Sequence, residues 1–263
     1  MGRLQGSLSS LSAADLGGFA IAGALERSGV QPTDIDYVVL GQVLQAGSGQ
    51  NAARQAAIAG GLGMAIPALT INKVCLSGID AIALADQMIR AGEFDAVVAG
   101  GMESMSQAPH LLIGSREGKK YGDWTMIDAL ALDGLTCAFD ECAMGEATER
   151  YNDRYALTRQ EQDAVAEASH RRAAAAQSVG ILAEEITPVR IPQRKGDDIV
   201  VTDDEGIRAE TTAESLGRLR PAFAPEGTIT AGNASQISDG AAALVVTSRA
   251  AAERLERTPM AFL

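Results

Sequence analysis

"ALTINKVCLSGIDAIALADQMIRAGEFDAVVAGG", residues 68–101, decides the architecture. It opens with a β-like run in which Thr70, Ile71 and Val74 are β-branched, and then turns through the small pair Ser77-Gly78. "SGIDAIALADQMIRAGEF" follows, with apolar residues on nearly every face, a pattern that predicts a helix buried all round. "DAVVAGG" is too uniformly apolar for a half-exposed strand. Strand, helix, strand in one short stretch reads as a crossover unit of a parallel sheet.

Upstream, Ser12 with Asp15 three residues later forms the pattern of a capping box. It starts a helix through "ADLGGFAIAGALERSG" that stops at Gly29. "DYVVLGQVL" reads as a buried strand and "NAARQAAIAGG" as a short alanine-rich helix. From about Ser106 the character changes: charges, Trp124 and most tyrosines enter, and the periodicity weakens. Thr158 with Glu161 caps a helix, "RQEQDAVAEASHRRAAAAQSVG", with Gly180 at its expected end. "EITPVRIPQRKGDDIVVTDDEG" reads as two polar strands joined at Lys195-Gly196-Asp197. "SDGAAALVVTSRAAAERLE" then returns to the earlier style. The expected fold is α/β, helices packed on a mainly parallel sheet, with a core of 1–107 plus 235–263. An α+β segment, 108–234, is inserted in it.

Composition narrows the partners. The 263 residues are 46% hydrophobic but only 4% aromatic, with 28 glycines, so small-faced helices lie close on the sheet. A formal net charge of −12 argues against nucleic acid or an anionic membrane as the main partner. No run approaches the roughly 20 apolar residues of a membrane span, and no secretory signal opens the sequence. Three cysteines without CxxC spacing, and two histidines, make neither a disulfide framework nor a metal site. A cytoplasmic protein is expected.

Cys75 is the residue best placed for chemistry. A thiol at the first turn of a helix meets the positive end of the helix dipole and free backbone N–H groups, which favour thiolate and can stabilise an oxyanion. A buried, inert cysteine is the alternative reading of the same position.

Four separated stretches then carry a resemblance in order along the chain: "INKVCLSGIDAIALADQMI", "VVAGGMESMSQAPHLL", "RPAF" and "TITAGNASQISDGAAALVV". Together they resemble the thiolase family, in particular its bacterial acetyl-CoA C-acetyltransferases. The resemblance implies a layered thiolase-like fold and acyl transfer between acyl-CoA molecules, by thiolysis or Claisen condensation. It implies coenzyme A as a substrate rather than a permanent cofactor, a homodimer or homotetramer, and a place in fatty acid metabolism. Cys75 matches the cysteine that takes the acyl group as a thioester, and 108–234 matches the loop domain that covers coenzyme A. Ser235 and Ala231 match contacts of the pantetheine arm, Phe223 and Met144 match apolar contacts of the same ligand, and Arg208 matches a residue near the nucleotide end. Without the family, Arg208 is a solvated arginine, "NAS" a turn and Met144 a core filler.

The sequence also departs from the family. Ala143 stands before Met144 where acetoacetyl-CoA-forming members often have histidine, and Leu76 follows Cys75 where a small residue is common. No GHP, CxGGG or NEAF string occurs, so the family's C-terminal domain is expected to be absent from these residues, and with it the histidine and second cysteine that serve as bases. His110 and His170 read as structural or surface histidines, and Cys137 and Cys142 match no second-cysteine motif. These 263 residues alone are therefore expected not to form carbon–carbon bonds. A non-catalytic acyl-CoA-binding or scaffold half-thiolase is the rival reading. A ketoacyl synthase relative fits less well, because "GGMESMS" and the long insertion suit thiolases better.

Overall fold

The computed structural model describes residues 1–263. The chain runs through β1 (Gly2–Arg3), α1 (Ala13–Ser28), β2 (Tyr37–Gly41), α2 (Ala52–Ala59), β3 (Ala68–Ile71), α3 (Ser77–Arg90) and β4 (Ala96–Ser104). Two short strands follow, β5 (His110–Leu111) and β6 (Ile127–Asp128), then helices α4 (Met144–Arg154), α5 (Arg159–Ser178) and α6 (Ile181–Glu185). After them come β7 (Val189–Ile191), β8 (Ile199–Val201), α7 (Ala213–Gly217), β9 (Ser238–Thr247) and α8 (Arg249–Arg254). Two compact units result. The first joins Met1–His110, Thr187–Thr202 and Ser238–Leu263, and the second joins Leu111–Ile186 and Asp203–Ile237.

The first unit is built on one five-stranded sheet in the order β1–β9–β4–β2–β3. β2 is parallel to both β3 and β4, while β9 runs antiparallel to β4, in register from Ala96↔Thr247 to Ser104↔Asp239. Successive strand residues face opposite sides, so β2 and β4 feed two cores at once. Val38, Leu40 and Val98 pack with Ile21 and Leu25 of α1 and Ala53, Ala56 and Ala57 of α2. Val39, Val97 and Ala99 pack instead with Ala81 and Ala85 of α3. Burying each valine or leucine stabilises the fold by about 1.5–3 kcal/mol, so this doubled core is the main term holding the unit together. The sheet thus has helices on both faces, as the apolar strands require.

Helix ends follow the sequence closely. Ser12 and Asp15 close a capping box on α1, and Gly29 ends it in the left-handed conformation at φ 65°. Thr158 and Glu161 do the same at the start of α5. The hairpin β7–β8 forms as expected, with Gly196 at φ 90° in its turn.

Two expectations need correction. The hairpin residues 187–202 belong to the first unit rather than to the insertion. The cause is an apolar inner face: Ile191 is buried against Leu8 and Leu16, with Val189 and Val201 beside it. Helix α3 is also not buried all round. Ser77, Ala81 and Ala85 face the sheet, but Ile79 is 68% exposed, because nothing in this chain covers the outer side of the helix.

The second unit is held by a polar network more than by an apolar core. The Glu149 carboxylate on α4 accepts the N–H groups of Thr228 (2.9 Å) and Ile229 (2.7 Å) and the Thr228 hydroxyl (2.8 Å). Asn233 donates to Asp163 of α5 (2.9 Å), and Asp163 is paired in turn with Arg159 (2.7 Å). Arg159 also donates to the Leu219 carbonyl, after α7. No helix of the chain is long and apolar enough to cross a membrane.

Candidate functional site

Cys75 lies beyond the carboxyl end of β3, one residue before Leu76, which caps α3. Its thiol is exposed, whereas Cys137 is half-buried and Cys142 buried. The turn that presents it is strained: Val74 sits at φ 50°, a left-handed conformation that a β-branched residue rarely adopts. Three contacts hold that turn. The Asn72 side chain accepts the Val74 N–H at 2.9 Å. The Ser77 hydroxyl accepts the Lys73 N–H at 2.8 Å and donates to the Val74 carbonyl at 2.6 Å. An exposed ion pair, Lys73–Asp80 at 2.6 Å, closes the outside and adds less than about 1 kcal/mol.

The helix start can lie so close to the sheet because of a glycine. A Cβ on Gly41, at the end of β2, would stand 2.6 Å from Ser77, closer than side chains pack. Beyond Gly41, the Glu103 carboxylate at the end of β4 accepts the N–H of Val43 at 2.8 Å and that of Leu44 at 3.3 Å. Burial pushes the Glu103 carboxyl up from its ordinary value, and these two backbone bonds only partly offset it. The Asn72 amide donates to the Val43 carbonyl, which ties the Cys75 turn to this segment.

The second unit carries a cavity of about 280 Å³. Its walls include His170 of α5, Arg208 and Glu210 of the following loop, and Ser215, Leu216 and Leu219 of α7 and its end. The Arg208 N–H donates to His170 Nδ1 at 3.2 Å, so His170 serves as a hydrogen-bond acceptor that fixes the loop. Gly232 lines the same cavity, whereas its neighbour Ala231 is exposed and is not among the lining residues. Phe223 lies elsewhere in the unit, against Gly145 in the first turn of α4; Gly145 follows Met144 in the chain, and the Met144 and Phe223 side chains are both exposed. Ser235 is exposed in the loop leading to β9. His110 is exposed, and no cluster of side chains suited to a metal ion occurs. The sequence singles out Arg208 but carries no signal for Ser215, Leu216 or Leu219 as its cavity neighbours.

Fold and corner together define an α/β protein that displays an exposed cysteine at the carboxyl end of its parallel strands, where such sheets place their ligands. The chain belongs to the thiolase family: residues 1–250 match the family described as "Thiolase, N-terminal domain". A relative from Mycolicibacterium smegmatis, named "Probable acetyl-CoA acetyltransferase", is 60% identical over 261 residues, covering 99% of this chain and 67% of its own. The "Acetyl-CoA acetyltransferase" of Thiocystis violacea is 52% identical over 263 residues, covering 100% and 67%. The crystal structure of the Bacillus anthracis acetyl-CoA acetyltransferase superposes with a TM-score of 0.93 at 36% identity, over 98% of this chain and 65% of that one. The chain therefore spans about two thirds of the length of the relatives it matches.

Proposed function

We propose that this chain takes an acyl group from acyl-CoA onto Cys75 and binds the nucleotide end of coenzyme A in the cavity between α5 and α7. One observation carries the reading: an exposed cysteine, on a strained turn at the head of α3, in a chain of the thiolase family. The Cys75 thiol releases its proton to solvent, its thiolate sulfur attacks the thioester carbonyl, a new S–C bond forms, and the bond to the coenzyme A sulfur breaks. Coenzyme A leaves as its thiolate and takes up a proton from solvent. The reverse step, with a fresh coenzyme A, returns the acyl group.

The other residues bind rather than react. Arg208 offers a guanidinium to phosphate. Met144 and Phe223 supply apolar contacts to the pantetheine arm, with Ala231 and Ser235 beside it. The acetyl group is the acyl group to test first, since the relatives named above are acetyl-CoA acetyltransferases. A homodimer or homotetramer in the cytoplasm, acting in fatty acid metabolism, is part of the same proposal.

These residues by themselves stop at the acyl-enzyme. Carbon–carbon bond formation needs a positioned base at the α-carbon of the second substrate, a contribution of about 10²–10⁴-fold. His170 is engaged with the Arg208 backbone, and Cys142 is buried. Isotope exchange between labelled coenzyme A and acetyl-CoA tests the proposal, because it requires only acylation and its reversal. We expect exchange with the unaltered chain, none with Cys75→Ser, and no thiolysis of acetoacetyl-CoA. Exchange that survives in Cys75→Ser would overturn the assignment.

A further inference from the structure

The left-handed backbone at Val74 needs an explanation that packing does not supply, since the side chain is 50% exposed and gains little from burial. A non-glycine residue in this conformation is strained and persists only where its surroundings over-determine it. The surroundings here are polar and specific. Ser77 is 4% exposed, and its one hydroxyl is used in both directions: it accepts from the residue before Val74 and donates to the carbonyl of Val74 itself. Asn72 takes the remaining group, the Val74 N–H. The Ser77 N–H also donates to the Val74 carbonyl at 3.1 Å, so that carbonyl is held twice. Both peptide groups flanking Val74 are thereby pinned, and the residue that follows is Cys75.

We infer that Ser77 is a positioning residue for Cys75: its hydroxyl clamps the strained Val74 turn and so fixes the direction in which the thiol leaves the corner. The inference rests on the proposed acyl transfer to Cys75, and deepens it by naming the group that orients the nucleophile. Without the hydroxyl, the turn loses one of the two hydrogen bonds to the Val74 carbonyl and the one that takes the Lys73 N–H, and the strain at Val74 then favours relaxation toward an ordinary negative φ. Relaxation swings the peptide plane that carries Cys75, and reacting groups displaced by about an ångström lose rate by tenfold or more. A glycine at position 74 removes the strain, because it adopts the left-handed conformation without a Cβ penalty. The two changes are therefore coupled in a way that simple loss of packing is not.

The test measures single-turnover acetylation of Cys75 by acetyl-CoA, followed by peptide mass spectrometry, in the unaltered chain, Ser77→Ala, Asn72→Ala, and Ser77→Ala with Val74→Gly. Loss of the clamp should lower the maximal rate about tenfold in Ser77→Ala, leave the half-saturating acetyl-CoA concentration unchanged, and be largely reversed by Val74→Gly. Asn72 is exposed, so Asn72→Ala keeps the test open should Ser77→Ala fold poorly, and a smaller loss is expected there. An unchanged rate in folded Ser77→Ala overturns the inference, as does a loss that Val74→Gly fails to rescue; where Ser77→Ala does not fold, an unchanged rate in Asn72→Ala overturns it instead. If the unaltered chain takes no acetyl group, the proposed function has failed instead. The iodoacetamide labelling rate of Cys75 relative to Cys137, across the same variants and with the same expected rescue, then decides the role of Ser77.

Discussion

At the scale of single residues, the three cysteines show how position outweighs chemical identity. Cys75 is exposed on a polar turn, Cys137 is half-buried, and Cys142 is buried, with its carbonyl accepting the Cys137 N–H at 2.8 Å. Access to the sulfur sets the order of modification. Sub-stoichiometric iodoacetamide should therefore label Cys75 first, then Cys137, with Cys142 protected until unfolding. Peptide mapping reads that order directly, and preferential labelling of Cys137 or Cys142 would speak against Cys75 as the reactive thiol. The corner position of Cys75 was legible from "NKVCLSG" alone. The strain at Val74 was not, because no local pattern marks a β-branched residue for the left-handed region. It follows from Ser77 and Asn72 acting together.

At the scale of elements, capping boxes and turn glycines were legible because each acts within a few residues. Ser12–Asp15, Thr158–Glu161 and the Gly196 turn all took their expected forms. The cavity wall was not, since His170, Arg208 and Ser215 lie on separate elements that only the folded second unit assembles. That unit depends on Glu149. Burial alone would raise its carboxyl, but hydrogen bonds from Ile229, Thr228 and Asn152 outweigh burial and hold it below the ordinary 4.5. A carboxyl lowered in the folded state stabilises the fold above its ordinary value and loses that contribution as pH falls through the folded one. Glu149→Ala leaves the Thr228 and Ile229 N–H groups without their acceptor, and should cost about 1.5–3 kcal/mol near pH 7. Urea unfolding monitored across pH 3–7 should show the variant and the unaltered chain converging toward the acid end. A constant gap would mean that Glu149 acts only by filling space.

At the scale of the molecule, the apolar strands correctly announced a sheet covered on both faces, and the family resemblance extended to the superposition. What the apolar pattern of α3 could not tell was whether its outer side has a partner within the chain. Leu76 and Ile79 of that region and Leu244 of β9 are all more than half exposed. Apolar surface gathered on one side of a folded unit promotes association. Sedimentation velocity should find the chain self-associating at micromolar concentration, and Ile79→Asp should reduce it; a monomeric unaltered chain would contradict this.

The most direct measurement for the central claim is the location of the acyl group. After incubation with acetyl-CoA, acid quench and proteolysis, mass spectrometry should find one acetyl group per chain, on the peptide that contains Cys75, and none in Cys75→Ser. Acetylation confined to Cys137 or to lysines, with the Cys75 peptide unmodified, would contradict the account.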